Sequence, residues 1–322
     1  MKRGLGHRER VLRVIDHREV DRVPCFFLAE PEVEARVARD LGVDGRLGIT
    51  RHFDADTIQV TAYFAPPDLT QVETVADLDR LSWPGRESFD LQGYVERVRE
   101  ARSTGLAVLG GAWATIFTGP RRAMGEAKYL MAMVDQPDLI ARITERITDA
   151  YLEINEAIFR ECAGSIDLFY FGSDFGAQRS LFISRDSFLR FFQPYLERLS
   201  QHARGFGLKV MFHTCGAVSE IIPDLIACGI DVLDPVQVSA HEMRPELLAS
   251  RFKGRIAFHG GISTQTTLSH GVPGEVREAV RRAIAALGPT GYVCGPDQSM
   301  MDDIPTANMV AMYEALRGQQ GT

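Results

Sequence analysis

A single (β/α)8 TIM barrel is the fold this sequence predicts, and three observations predict it. Eight short apolar runs recur along 322 residues, with helical patterning between them. Most of these runs are continuously apolar rather than alternating, as strands covered on both faces are. Nearly all reactive polar residues fall at the C-terminal ends of the runs, the ends that ring the mouth of a barrel. A doubly wound open sheet is the competing arrangement, but no G-x-G-x-x-G pattern follows the first run.

The elements follow in order. Residues 7–17 predict a helix ahead of the barrel. Strands are expected at 22–30, 57–65, 107–113, 166–174, 209–216, 232–237, 255–261 and 292–297. Residues 66–100, with Pro66-Pro67 and Trp83-Pro84, read as an insertion between the second and third strands. A helix over 139–162 carries Ile140, Ile143, Ile147, Tyr151, Ile154 and Ile158 on one stripe, with Asp135 as its cap and Pro137 in the first turn. Ser184 caps a second helix bearing Phe188, Phe191, Phe192, Tyr195 and Leu199, which Pro194 should kink. A third holds Val218, Ile221, Ile222, Leu225 and Ile226 and stops at Gly229. Two more are expected at 274–287 and 305–317, with a fraying tail over 318–322. No linker or repeat interrupts the chain, so 1–322 is expected to be one domain.

Bulk composition narrows the function. Net charge is −7 and the arginines are dispersed among acids, so neither nucleic acid nor an anionic membrane is an expected partner. No apolar run reaches the roughly 18 residues a membrane span needs. The opening ten residues lack the apolar core of a signal peptide, and five scattered cysteines do not suggest a disulfide framework; a cytoplasmic location is expected. Cys25, Cys162 and Cys228 read as buried small residues, and His7, His17, His52, His202, His241 and His270 as surface.

Chemistry concentrates at strand ends. His213 and Cys215 lie two apart on the fifth strand, so their side chains share a face. An imidazole beside a thiolate is a soft donor pair that suits zinc. Cys294, on the eighth strand, is a candidate third donor. Zinc held by three protein ligands keeps a fourth position for an incoming thiol or water. Asp174 is a candidate acid/base, and His259 is balanced between a site residue and a structural histidine. Glu30, Tyr170, Gln178, Gln237, Asp297 and Gln298 complete the expected substrate-binding set.

These residues stand within longer motifs. Arg8-Glu-Arg-Val-Leu12 with Val20-Asp-Arg-Val-Pro24 comes first, then Gly172-Ser-Asp-Phe-Gly-Ala-Gln178 and Leu181-Phe-Ile-Ser184. His213-Thr-Cys-Gly216, Gly229-Ile-Asp-Val-Leu-Asp-Pro-Val-Gln237, Gly260-Gly-Ile-Ser-Thr-Gln265 and Pro305-Thr-Ala-Asn308 follow. Together they resemble the uroporphyrinogen decarboxylase-like superfamily over almost the whole chain. The resemblance implies a (β/α)8 barrel. True uroporphyrinogen decarboxylases carry an arginine-rich loop after the first strand for the tetrapyrrole propionates; here Phe26-Phe-Leu-Ala-Glu-Pro-Glu-Val-Glu34 is apolar and then acidic. The chain is closer to the corrinoid-dependent methyltransferases of the superfamily, whose His-x-Cys zinc ligands match His213 and Cys215. Their distant third Cys falls near Gln298, four residues beyond Cys294 and ~13 Å along an extended strand, so Cys294, Asp297 and Gln298 stay open as the third donor. The resemblance implies a methyl group moving between a small substrate and a thiol or corrinoid acceptor. The corrinoid would arrive on a separate protein, and a homodimer is the family-level expectation. A metal-free decarboxylase using Asp174 and a non-catalytic barrel subunit are the alternatives.

Overall fold

In the computed structural model, residues 4–318 are described, and the tail expected to fray lies outside them from Gln319 onward. Seven strands form among the described residues: β1 Thr57–Ala62, β2 Ala107–Ala112, β3 Leu168–Gly172, β4 Lys209–His213, β5 Val232–Val236, β6 Ala257–Ile262 and β7 Tyr292–Pro296. These are the second to eighth expected strands, each shortened at its C-terminal end or within a residue or two of expectation. The fold is α/β, and the strands alternate with helices along the chain.

The chain divides into two compact units, both discontinuous in sequence. One comprises residues 59–103 and 108–230 and holds most of β1 and β2 and all of β3 and β4. There β2 pairs parallel with β3 through Leu109 and Leu168, and β3 with β4 in a straight register from Leu168–Lys209 to Gly172–His213. All five residues of β3 are buried, as its continuous apolar run Leu-Phe-Tyr-Phe-Gly foretells. The long helix Pro137–Glu161 packs the expected stripe: Ile140, Ile143, Ile147, Tyr151, Ile154 and Ile158 are all buried. Each such side chain contributes roughly 1.5–3 kcal/mol on leaving water.

The other unit comprises residues up to 58, 104–107 and from 231 onward. Its strands run β5-β6-β7, parallel, with a register shift between Leu233 and Val236. The expected first strand, 22–30, is a correction: it forms only two isolated parallel bridges, Cys25 to Cys294 and Ala29 to Met300. The physical reason is local. Pro24 has no N–H to give a ladder, and the Cys25 N–H donates to the Asp56 carboxylate at 2.9 Å instead. Asp56 is fully buried and also receives Arg10, Arg22 and His7. His7 is thus half-buried and bonded to the interior rather than a plain surface residue.

Prolines moved other boundaries. Asp135 is not a cap; it ends the helix Glu126–Asp135. The residue before Pro137 is driven out of helical geometry, so Gln136 (φ −137°, ψ 59°) becomes the junction. Pro194 does more than kink its helix: the run splits into Arg185–Phe191 and Gln193–Gly205 at Phe192. Ser184 caps the first piece, accepting the Ser187 amide at 3.1 Å. Within 66–100, expected to be an insertion, stand a capped turn of helix Val75–Asp79 and the start of the helix Leu91–Ser103. The latter leads into β2, with Tyr94, Val95 and Val98 buried.

Candidate metal centre

His213 is the last residue of β4, and the turn Thr214-Cys-Gly216 follows it. Its Nε2 lies 3.1 Å from Cys215 Sγ and 3.5 Å from Asp174 Oδ1. These three are a group of potential metal donors whose ligand atoms all lie within 4.8 Å of one another. All three are partly exposed, His213 at 19% and Asp174 at 31% of the side chain, so an ion could reach them.

Backbone contacts hold the group together. Asp174 follows β3 by two residues, and its amide donates to Thr118 Oγ1 at 2.9 Å. The Cys215 amide donates to Asp174 Oδ1 at 3.3 Å, aligning carboxylate and thiol. The Gly176 amide donates to the Cys215 carbonyl, and the Ala217 amide to the Ala177 carbonyl. This approach demands glycine twice. A Cβ on Gly176 would meet the Cys215 carbonyl oxygen at 2.4 Å, and Gly216, at φ +87°, would meet the Gly176 carbonyl carbon at 2.4 Å.

A second layer orients the imidazole. The Tyr170 hydroxyl lies 3.3 Å from His213 Nδ1, on the side away from the cluster, as second partners of ligating histidines do. Trp113 packs edge-on against Tyr170 at 4.8 Å between ring centroids and lies 5.6 Å from the His213 ring. Trp113 is a neighbour of the donor group that sequence reasoning missed, although it stood as the last residue of the expected third strand.

The remaining expected residues lie elsewhere. Gln178 is exposed on the loop after Asp174. In the other unit Cys294 is fully buried on β7, and burial pushes its thiol up to about 12. It is not in the donor group above. Asp297 is also fully buried; its Oδ1 accepts the Thr264 amide at 2.8 Å, and burial pushes its carboxyl up to about 6. Gln298 is half-buried, Gln237 buried, and Glu30 precedes the helix Pro31–Leu41. His259 has a partner that the sequence did not reveal: its Nδ1 lies 2.5 Å from Asp234 Oδ1. Phe26 stacks on it at 3.6 Å, and its Nε2 is buried with no hydrogen-bond partner among the described residues.

A family model described as uroporphyrinogen decarboxylase (URO-D) matches residues 54–319. A solved methyltransferase from Methanosarcina mazei superimposes with a TM-score of 0.74 at 15% identity, over 98% of this chain and 99% of that one. A B12-independent methionine synthase from Shewanella sp. W3-18-1, in complex with selenomethionine, aligns over 70% of this chain and 67% of its own at 13% identity, with a TM-score of 0.42. No curated protein sequence matches. The first of the two solved structures shares this chain's fold.

Proposed function

The chain belongs to the uroporphyrinogen decarboxylase (URO-D) family, and on that footing we propose that it is a zinc-dependent methyltransferase acting between a small substrate and a corrinoid protein or thiol acceptor. The observation that carries this reading is the His213–Cys215–Asp174 donor group. Its spacing suits the ion. Tetrahedral zinc separates a nitrogen and a sulfur ligand by about 3.5 Å and a nitrogen and an oxygen ligand by about 3.4 Å; the pairs here stand at 3.1 and 3.5 Å. Asp174 is proposed as the third donor, the place for which Cys294, Asp297 and Gln298 were open. Three donors leave one position for substrate or acceptor, and zinc bound there would hold an acceptor thiol as its thiolate.

The chain's own residues prepare that position. Tyr170 holds His213 Nδ1, which leaves Nε2 directed at Cys215. Asp174 fixes the turn through the Cys215 amide. The Trp113 ring walls one side. The whole-length likeness to a methyltransferase fold is consistent with this reading. The corrinoid is proposed to ride on a separate protein.

Closure of the strands into a (β/α)8 barrel belongs to the same proposal. Its support is the 22–30 segment, which bridges β7 at Cys25 and Met300 beyond it at Ala29, and whose Cys25 carbonyl accepts the Asp56 amide next to β1. Tetrapyrrole decarboxylation is disfavoured by that same segment. Phe26 and Phe27 are buried aromatic rings, where several propionates would need cations.

The test is elemental analysis of the purified protein beside a Cys215→Ser variant. About one zinc per chain, lost in the variant, is the expected result. A wild-type chain that takes up no metal even when zinc is supplied would sink this reading in favour of metal-free lyase chemistry.

A further inference from the structure

A hollow of about 770 Å³ opens in the unit that carries the donor group, in the size range of small-molecule sites. Its walls include Tyr63, Phe64, Pro66, Pro67 and Trp113, and Arg122 stands among them. Two observations give it a ligand chemistry. The first is aromatic surface left uncovered. Tyr63 is 70% exposed, with its ring 6.3 Å from that of Trp113. On the wall of a concave site, two such rings offer a bound ring a surface to stack on.

The second is charge. Arg121 is buried, stacked on Phe117 and Phe182, and 3.5 Å from Glu126, so its cation is used within the fold. Arg122, exposed beside it, forms no ion pair among the described residues. Asp68, on the same rim, accepts the Thr70 amide at 2.9 Å and does not pair with Arg122. Guanidinium is the side-chain group best matched to a carboxylate in two-pronged geometry.

We propose that this hollow binds the ring-bearing body of an anionic substrate, an aromatic carboxylate, with Arg122 on the acid group and Trp113 and Tyr63 against the ring. Trp113 also neighbours His213, so the bound ring lies one side chain away from the donor group. This deepens the methyltransferase reading and rests on it for what becomes of the bound molecule; binding itself does not need that reading.

Calorimetry with 4-methoxybenzoate and its neutral counterpart 4-methoxybenzamide tests it, with zinc content measured in every sample. The expected result is saturable one-to-one binding of the acid at least tenfold tighter than of the amide. Arg122→Gln should erase that preference while amide binding persists, and Ala123→Trp, which fills the hollow, should abolish both. Equal affinity for the two probes, or an acid preference that survives Arg122→Gln, overturns the assignment of the anion. Acid binding unchanged in Ala123→Trp overturns the hollow as its site. A protein without zinc that still shows the Arg122-dependent preference would sink the methyltransferase reading and leave this one standing.

Discussion

Two histidines on parallel strands, His213 at the end of β4 and His259 within β6, each lie beside a carboxylate in opposite settings. His213 on β4 lies 3.5 Å from Asp174, partly exposed, with a thiol 3.1 Å from the same nitrogen. His259 on β6 sits 2.5 Å from Asp234, both side chains 6% exposed, with an aromatic ring stacked over it. The residue types are nearly the same. Burial differs, and so does the number of donors converging on one point. A loose, accessible convergence of nitrogen, sulfur and oxygen is what an ion needs. A tight, dry pair instead holds two polar groups that would each be costly alone.

Several substitutions would break or sharpen that contrast. The largest effect is expected for His213→Ala, which should lose zinc altogether while the stability of the zinc-free protein changes by no more than about 1 kcal/mol, as at other part-exposed sites; metal analysis, and chemical denaturation with a chelator present, read the two quantities. His259→Ala should do the reverse. It should cost about 3–5 kcal/mol, because Asp234 would lose its imidazole in a dry setting, with zinc stoichiometry unchanged. If His259→Ala emptied the proposed zinc site as well, the contrast would fail.

Asp297 extends the comparison to a buried carboxylate with no cation against it among the described residues. Burial raises its pKa from 3.8 to about 6 in the folded chain. The folded state therefore holds its proton more tightly than the unfolded one. The wild type should lose stability as pH rises from about 4 to 6, by up to about 3 kcal/mol. Asp297→Asn should flatten that slope in urea titrations across the same range. Asp56 behaves oppositely. Burial opposes its ionisation, but the His7 hydrogen bond and the charges of Arg22 and Arg10 hold its pKa below the usual value. Its contribution should be present above about pH 4 and disappear as pH falls further. The smallest effect expected is Tyr170→Phe, which removes the hydroxyl from His213 Nδ1 and should weaken zinc binding about tenfold without altering the pH dependence of stability.

Much of this was legible in the chain because the signals are local. The stripe from Ile140 to Ile158 needs only a period of 3.6 to be read. The Ser184 cap needs only its neighbours. His213 and Cys215 are two residues apart and reach one point through a single strand end and turn. Segment 22–30 misled for the opposite reason. Its apolar run looks like a strand, yet the Cys25 amide is claimed by Asp56, 31 residues away. Asp135 and Pro194 show the limit of reading caps one at a time, since Pro137 and Pro194 each sit in the first turn of a restarted helix, with the junctions at Gln136 and Phe192.

The order of strands and helices, the acidic and dispersed charge, and the His-x-Cys pair were determined by the sequence alone, because periodicity, composition and short spacing survive without coordinates. Tertiary structure decided the partners. That Asp174 joins His213 and Cys215, that Asp234 rather than a substrate meets His259 Nδ1, and that Trp113 stands between the hollow and the donor group all depend on strands β2, β3 and β4 in one unit, and β5 and β6 in the other, lying side by side. Residues tens of positions apart become neighbours only through that pairing, which the cooperative packing of the whole sheet sets and no local pattern encodes.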